Sequence, residues 1–183
     1  TTRKCWALAE GHPVLAVALC LLAGSIERIC AQEHRPPREY EIKAAFLYHF
    51  ARFVDWPPDK SKGDLVVCVR GGNPFGTALT KLEAKSAGTR TLTTRQVTGE
   101  SEISACHILF LSSTAETPIP QLLAGVPSEG VLTVGETDTF VDDGGMIRLF
   151  AADNNIRFEI NREAARRAGL TISSRMLRLA NNG

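Results

Sequence analysis

The sequence lacks the excess of one charge sign that nucleic-acid-binding proteins use to hold phosphates. Lys and Arg total 21 and Asp and Glu total 20, which leaves a formal net charge of +1 over 183 residues. Long hydrophobic runs of the kind that polytopic membrane proteins need are also missing. With 44% apolar and 22% charged residues, the composition is that of a folded globular protein, and it excludes a wholly disordered chain. We expect no nucleic-acid partner.

The common catalytic and cofactor motifs are absent as well. The sequence contains no GxGxxG, no CxxC, no GxSxG, and no His and Cys spacing typical of a zinc site. The segment GGNPFG (71–76) lies between a predicted strand and a predicted helix, where phosphate-binding loops occur, but it has neither the dinucleotide nor the P-loop spacing. Asp142 and Asp143 precede two glycines and indicate a turn. We predict no catalytic residues, no metal and no cofactor, so a binding or regulatory module is favoured over an enzyme.

The N-terminal segment resembles a secretory signal peptide. Arg3 and Lys4 precede an apolar run of eleven residues, Pro13–Ala23, which is too short to span a bilayer as a helix. Residues 1–31 are therefore predicted to be a cleaved signal peptide, with a buried N-terminal helix or an uncleaved anchor as alternatives. The polar segment 32–39 is predicted to be a linker, and 40–180 to be a single domain.

Strand and helix signals alternate through the first part of that domain. A helix is predicted from Tyr40, because Ile42, Phe46, Phe50 and Phe53 recur at helical spacing and indicate a face in the core. Buried strands are predicted at 64–69, 106–111 and 131–134, and a more exposed strand at 91–98. Asn73 is predicted to cap the helix after the first of these strands, and a short helix is predicted at 119–124. This alternation favours parallel β-α-β units.

The pattern changes after Val134. Strands at 146–150 and 156–160 flank Asp and Asn residues that favour a tight turn, which predicts a β-hairpin. A helix capped by Asn161 and ended by Gly169 should follow, and then a last helix within 173–180. The predicted fold class is α/β, a three-layer sandwich with a mixed sheet that ends in the antiparallel hairpin and C-terminal helices.

Cys68 and Cys106 are the cysteines left once the predicted leader is removed. In an exported protein two cysteines more often form a disulfide than remain as thiols. In a sheet of order 2-1-3 their strands would be neighbours, although one cysteine lies near the end of its strand and the other near the start. We predict a disulfide; two separate buried thiols, or a thiol enzyme with a reactive Cys106, are the alternatives.

Four segments together resemble the YfiR/HmsC family of periplasmic proteins. They are AAFLYHFARFVDWP (44–57), VCVRGGNPFG (67–76), GGMIRLF (144–150) and IRFEINREAARRAGLTISSRMLRLA (156–180). The last is the most specific, and the likeness spans nearly all of 40–180. Some members of the family carry a second cysteine pair near the hairpin, which this sequence lacks.

The resemblance implies a periplasmic negative regulator that binds the periplasmic sensor domain of an inner-membrane diguanylate cyclase. Such a protein would repress cyclic di-GMP synthesis and biofilm formation, and it would not itself span the membrane. An outer-membrane-associated lipoprotein and a second copy of the chain are further candidate partners. The alternative function is a periplasmic receptor for a small ligand or peptide.

The segment 146–180 is the predicted partner-binding surface, because it is the most distinctive part of the sequence. Glu159, Glu163 and Arg167 are the residues predicted to contact the partner. The apolar residues of the segment are interpreted as core: Met146, Phe150, Phe158, Ile160, Leu170 and Met176.

Overall fold

The computed structural model describes residues 37–180. The predicted signal peptide, 1–31, and the first part of the predicted linker lie outside the described residues. The first helix, α1, begins at Pro37, three residues before the predicted start at Tyr40. Proline is accommodated in a first helical turn, because the N–H group that it lacks would have no partner within the helix there.

The helices of the described part are mostly short. They are α1 (Pro37–Phe53), α2 (Thr77–Thr80), α3 (Glu100–Ile103), α4 (Ile119–Ala124), α5 (Arg162–Arg167) and α6 (Ser174–Leu179), with a 3₁₀ turn at Pro58–Lys60. The strands are β1 (Val54–Asp55), β2 (Leu65–Arg70), β3 (Ser86–Ala87), β4 (Arg90–Val97), β5 (Ile108–Leu111), β6 (Leu132–Gly135), β7 (Ile147–Ala152), β8 (Asn155–Ile160) and β9 (Thr171–Ile172).

Seven strands form one mixed sheet in the order β3-β4-β2-β5-β6-β7-β8. The five inner strands, β4, β2, β5, β6 and β7, are parallel to one another, whereas the edge strands β3 and β8 run antiparallel to β4 and β7. The predicted 2-1-3 arrangement of the first three long strands is observed as β4-β2-β5. A separate two-stranded pairing of β1 with β9 ties the end of α1 to the C-terminal segment.

The sheet is covered on both faces, so the predicted three-layer α/β sandwich is confirmed. Along β2, Val67 and Val69 pack with α1, α5 and α6 in one hydrophobic cluster. Cys68 points into a second cluster, which also contains Ile103 of α3 and Leu122 of α4. The alternation of side chains along the strand thus feeds two separate cores.

The predicted hairpin is formed by β7 and β8. Leu149 pairs with Phe158, and the turn residues Asp153 and Asn154 have φ angles of 49° and 61°. Both residues tolerate this left-handed conformation better than most. Beyond the hairpin, the Asn161 side chain accepts a hydrogen bond from the Ala164 N–H at 2.9 Å and caps α5, as predicted.

Two local predictions were wrong. Asn73 does not cap a helix: its Oδ1 accepts from the N–H of Phe75 at 3.0 Å in a tight turn, and α2 begins four residues after Asn73. Cys106 does not lie within a strand, because β5 begins at Ile108 and Cys106 closes a turn with Ile103. In both places a turn held by local hydrogen bonds occupies residues that the hydrophobic pattern assigned to a regular element.

Candidate functional site

A groove of about 590 Å³ lies between α1, β8 and α6 and carries the exposed apolar surface of the domain. Ile42 and Leu179 line it; they are 38% and 71% exposed, and they are the large hydrophobic residues with exposed side chains within 37–180. The groove lining also contains Phe46, Phe53 and Met176. Exposed apolar side chains gathered in one depression mark an interaction surface more often than scattered ones do.

Two apolar stripes on α1 explain why the groove exists. Ala44, Leu47 and Ala51 are buried against the sheet. Ile42 and Phe46 lie on a neighbouring apolar stripe of α1, which lines the groove beside α6. The sequence-based prediction that the aromatic stripe faces the core was wrong for Ile42, which is exposed, and right for Phe50, which is buried. Phe46 and Phe53 are partly buried and pack against the core, so each of them also contributes to the groove.

The floor of the groove is well ordered by aromatic contacts. The Phe158 ring meets the rings of Phe46 and Phe50 edge to face, at centroid distances of 5.5 and 5.3 Å. Phe158 and Met176 are 4% and 3% exposed, so these two residues are core as predicted, and only their edges contribute to the surface. A rigid floor of this kind favours binding, because little side-chain entropy is lost when a partner docks.

The rim of the groove is positively charged. Arg52 and Arg175 place their guanidinium carbons 6.0 and 5.9 Å from the Phe53 ring centroid. His49 stacks on the same ring at 6.2 Å. Among residues 37–180, those that line the groove include no carboxylate, so the electrostatic complement of this lining is an apolar segment that carries acidic residues.

The residues predicted to bind a partner lie elsewhere. Glu159 forms an ion pair of 2.7 Å with Arg148. Glu163 pairs with Arg166 at 2.7 Å and lies 3.9 Å from Arg167, all on the exposed side of α5. None of the three predicted residues lines the groove. The contribution of that surface stays a prediction.

The sequence analysis missed Leu179, Arg52 and Arg175 as candidate contact residues. The available signal was the close spacing of Met176, Leu177 and Leu179 in a helix of only six residues. So short a helix cannot bury apolar side chains on more than one face. That argument leaves one of them exposed, but it does not tell which one.

A buried polar cluster lies just beyond the carboxyl ends of the central strands β5 and β6. Lys43 of α1, 1% exposed, donates to Glu136 after β6 at 2.6 Å and pairs with Glu39 at 2.7 Å. Ser113, after β5, donates to the same Glu136 carboxylate at 2.7 Å, and Tyr40 also contacts it. The cluster attaches α1 to the sheet and so fixes the helix that forms one wall of the groove.

The cysteine pair offers no thiol chemistry. Cys68 and Cys106 are joined by a disulfide with a Cα separation of 5.8 Å, and both are fully buried. This bond overturns the alternative of a reactive Cys106. The neighbouring His107 is bound elsewhere: its Nδ1 accepts from the Val66 N–H at 3.1 Å, and its Nε2 donates to the Lys60 carbonyl at 3.0 Å. Burial, with the nearby positive charges of Arg90 and Lys60, lowers the pKa of His107 to about 4.

No helix within the described range 37–180 is long and apolar enough to cross a membrane. Residues 37–180 also hold no group of three His, Cys, Asp or Glu side chains that could bind a metal ion. The exposed Ile42 and Leu179 make the groove a surface suited to contact with a protein.

Comparison with known families agrees with the resemblance noted in the sequence. A family model described as YfiR/HmsC-like matches residues 40–181, which is most of the chain. The match covers α1, the whole mixed sheet and both C-terminal helices. The chain therefore belongs to the YfiR/HmsC-like family, whose members are periplasmic regulators of diguanylate cyclase signalling rather than enzymes.

Proposed function

We propose that this protein represses a membrane-bound diguanylate cyclase by binding the cyclase's periplasmic sensor domain through the groove between α1, β8 and α6. Membership of the family supports a role in this signalling pathway. The observation that carries the choice of surface is the exposure of Leu179 and Ile42 beside two arginines. The occupant is an apolar segment of the sensor domain that carries one or more acidic residues.

Binding, and not chemistry, accounts for repression in this proposal. A sensor domain that exists in active and inactive conformations shifts toward whichever one the regulator binds more tightly. Burial of Leu179 and Ile42 favours the complex, because apolar area removed from water contributes about 25 cal/mol per Å². Arg52 and Arg175 select an acidic partner. An uncharged or basic segment would remove water from their guanidinium groups without supplying a carboxylate to bind them.

Direct binding measurement with matched variants tests the surface. Leu179→Asp should weaken binding of the purified sensor domain at least tenfold, because a carboxylate in the groove opposes both the apolar contact and the acidic partner. Leu179 is 71% exposed, so the substitution should leave the melting temperature unchanged. Glu163→Lys and Arg167→Glu test the predicted α5 surface in the same assay.

The outcomes separate the two surfaces. If Leu179→Asp abolishes binding and the two α5 variants bind normally, the groove is the docking site. Loss of binding with the α5 variants alone would transfer the interface to α5 and refute the groove. If Leu179→Asp instead only dissolves a dimer of this chain, the occupant is a second copy, and the proposal fails.

A cellular measurement tests repression itself. Deletion of the gene should raise cyclic di-GMP and biofilm formation, and a copy that encodes Leu179→Asp should not restore the low level. An unchanged cyclic di-GMP level after deletion would contradict the proposed function. An outer-membrane-associated lipoprotein that relieves repression stays a prediction.

A further inference from the structure

A second cavity, of about 340 Å³, opens where β4, β2 and β5 end. Its lining includes Arg70, Gly71, Gly72, Thr98, Thr114 and Thr117. It shares no residue with the groove between α1, β8 and α6. A ligand in this cavity would therefore contact different residues from those proposed to bind the cyclase.

The position of this cavity in the sheet is distinctive. The chain passes from β2 outward to β4 on one side, and then crosses back to β5 on the other side. The carboxyl ends of β2 and β5 therefore flank the point where the direction of winding reverses. Open α/β sheets bind their ligands in the crevice at this point, because the two connecting segments leave in opposite directions and leave space between them.

Arg70 supplies a positive charge to the cavity. It is the last residue of β2, and its buried Nη1 atom has no hydrogen-bond partner among residues 37–180. A buried guanidinium nitrogen without an acceptor is costly, and an oxyanion that enters the cavity relieves this cost once the side chain turns Nη1 toward it. The Glu102 carboxylate is close, but its Oε2 already accepts from the N–H groups of Thr98 and Gly99 at 2.9 Å each.

The loop after Arg70 is shaped for close approach. Gly71 has φ +90°, and a Cβ atom there would lie 3.0 Å from the Cβ of Ala115. A Cβ atom on Gly72 would lie 2.5 Å from the Thr114 hydroxyl. Because neither residue has a side chain, the loops after β2 and β5 come together and bring the Thr114 hydroxyl beside the backbone of 71–72. Hydroxyl groups and backbone amides are suitable partners for a small oxyanion.

We infer that this cavity binds a small oxyanion, a phosphate or carboxylate group, with Arg70 as the charged contact. Thr117 supplies a neutral hydroxyl donor beside it, and so does Thr114 when its hydroxyl accepts from Ser112 Oγ at 2.9 Å. The Thr98 hydroxyl donates to Glu102 instead. Glu116 is the carboxylate that lines the cavity, and its exposed position allows it to turn toward solvent when an anion enters. The binding group is a phosphate or carboxylate whether it comes from an inorganic ion or from a metabolite.

An NMR titration of the purified protein tests this inference. Sodium phosphate should shift the amide signals of 71–72, Thr98 and 114–117 in a saturable way, with half-saturation below about 10 mM. Sodium chloride at the same ionic strength should not. Acetate and glycerol phosphate, titrated separately, tell whether a carboxylate or a phosphate monoester is preferred.

Two arginine variants provide the matched comparison. Arg70→Gln should weaken phosphate binding about tenfold or more, because it removes a charge-assisted hydrogen bond. Arg95→Gln removes the same charge from an exposed position on β4 and should leave binding unchanged. Arg70→Lys keeps the charge and should retain part of the affinity, and it replaces the glutamine variant if that protein does not fold.

Three results would overturn the inference. They are an absence of saturable shifts in the natural protein, equal binding by Arg70→Gln, or equal loss of binding in Arg95→Gln. The sensor-domain assay is independent of this titration, so failure of one leaves the other intact.

Discussion

Cys106 is bonded to Cys68 from the turn ahead of β5, not from within that strand. In the β2-β5 ladder the residue opposite Cys68 is Leu109, three positions after Cys106. The chain from α3 closes a turn at Ile103–Cys106 and brings the cysteine to the sheet face that holds the second hydrophobic cluster. The disulfide thus joins the turn between α3 and β5 to the middle of β2.

This connection should contribute substantially to stability. Replacement of both cysteines by alanine should lower the free energy of unfolding by about 2–4 kcal/mol, because the disulfide closes a loop with a sequence separation of 38 residues. Urea unfolding of the natural and double-alanine proteins measures the difference. In the native protein without residues 1–31, a thiol reagent should find no free thiol even after mild reduction, since Cys68 and Cys106 are fully buried. Two thiols titrated in the same protein after denaturation without reduction would contradict the bond.

The parts of the fold that follow a repeating pattern were predictable from the sequence. Alternating and continuous apolar runs predicted the central strands. Asn161 predicted the start of α5, because its side chain accepts a local hydrogen bond there. The pairing of β1 with β9 was missed, because a two-residue strand carries no pattern and its partner lies more than a hundred residues away. Lys43 was also missed, since a lysine on a helix resembles a solvent-exposed residue until its partner Glu136 is placed.

The candidate sites depend on such long-range arrangements even more strongly. Leu179 is exposed because the short helix α6 buries Met176, and no local pattern tells which of its apolar residues faces the solvent. The sequence analysis assigned no role to Arg70, which directly precedes the GGNPFG segment. Its significance arises only when β4 and β5 are placed on either side of β2.

The buried His107 predicts how stability depends on pH. Its folded pKa of about 4 lies below the ordinary value of 6.5, so the unfolded chain binds the proton more readily. Stability should therefore be complete above pH 6.5 and fall as the pH drops toward 4. After allowance for solvent screening, the loss should be about 1–2 kcal/mol.

Comparison with a variant isolates the histidine from the carboxylates that titrate in the same range. Asparagine at position 107 keeps an acceptor for the Val66 N–H but does not titrate. Urea unfolding across this pH range should give a shallower slope for His107→Asn than for the natural protein. Equal slopes would show that His107 does not carry the effect.

The position of the Phe140 ring predicts that substitution of either of two neighbouring glycines will destabilise the protein. The ring is fully buried, and a Cβ atom on Gly135 or Gly145 would lie 2.2 or 2.3 Å from its carbon atoms. Gly135→Ala should therefore destabilise the protein by about 1–3 kcal/mol through overpacking. Thermal unfolding measures the loss. The double variant with Phe140→Leu should recover part of it, whereas simple additivity would mean that the ring is not the obstacle.

Lys43 and Glu136 form the contact whose removal should be most damaging on α1. Both side chains are almost completely buried, at 2% and 1% exposure, and their charged atoms lie 2.6 Å apart. Lys43→Met removes the lysine from the buried Glu136 carboxylate, which keeps hydroxyl contacts with Tyr40 and Ser113, and should cost about 3–5 kcal/mol. Glu136→Gln added to Lys43→Met removes the buried negative charge and should restore part of that stability. Chemical denaturation of the two single variants and the double variant gives the coupling energy directly.

As a control, Lys81→Met breaks a comparable ion pair with Glu41 that is more than half exposed, and it should cost at most about 1 kcal/mol. If Lys43→Met were no worse than Lys81→Met, the buried pair would not hold α1 on the sheet, and the groove wall would owe its position to apolar packing alone.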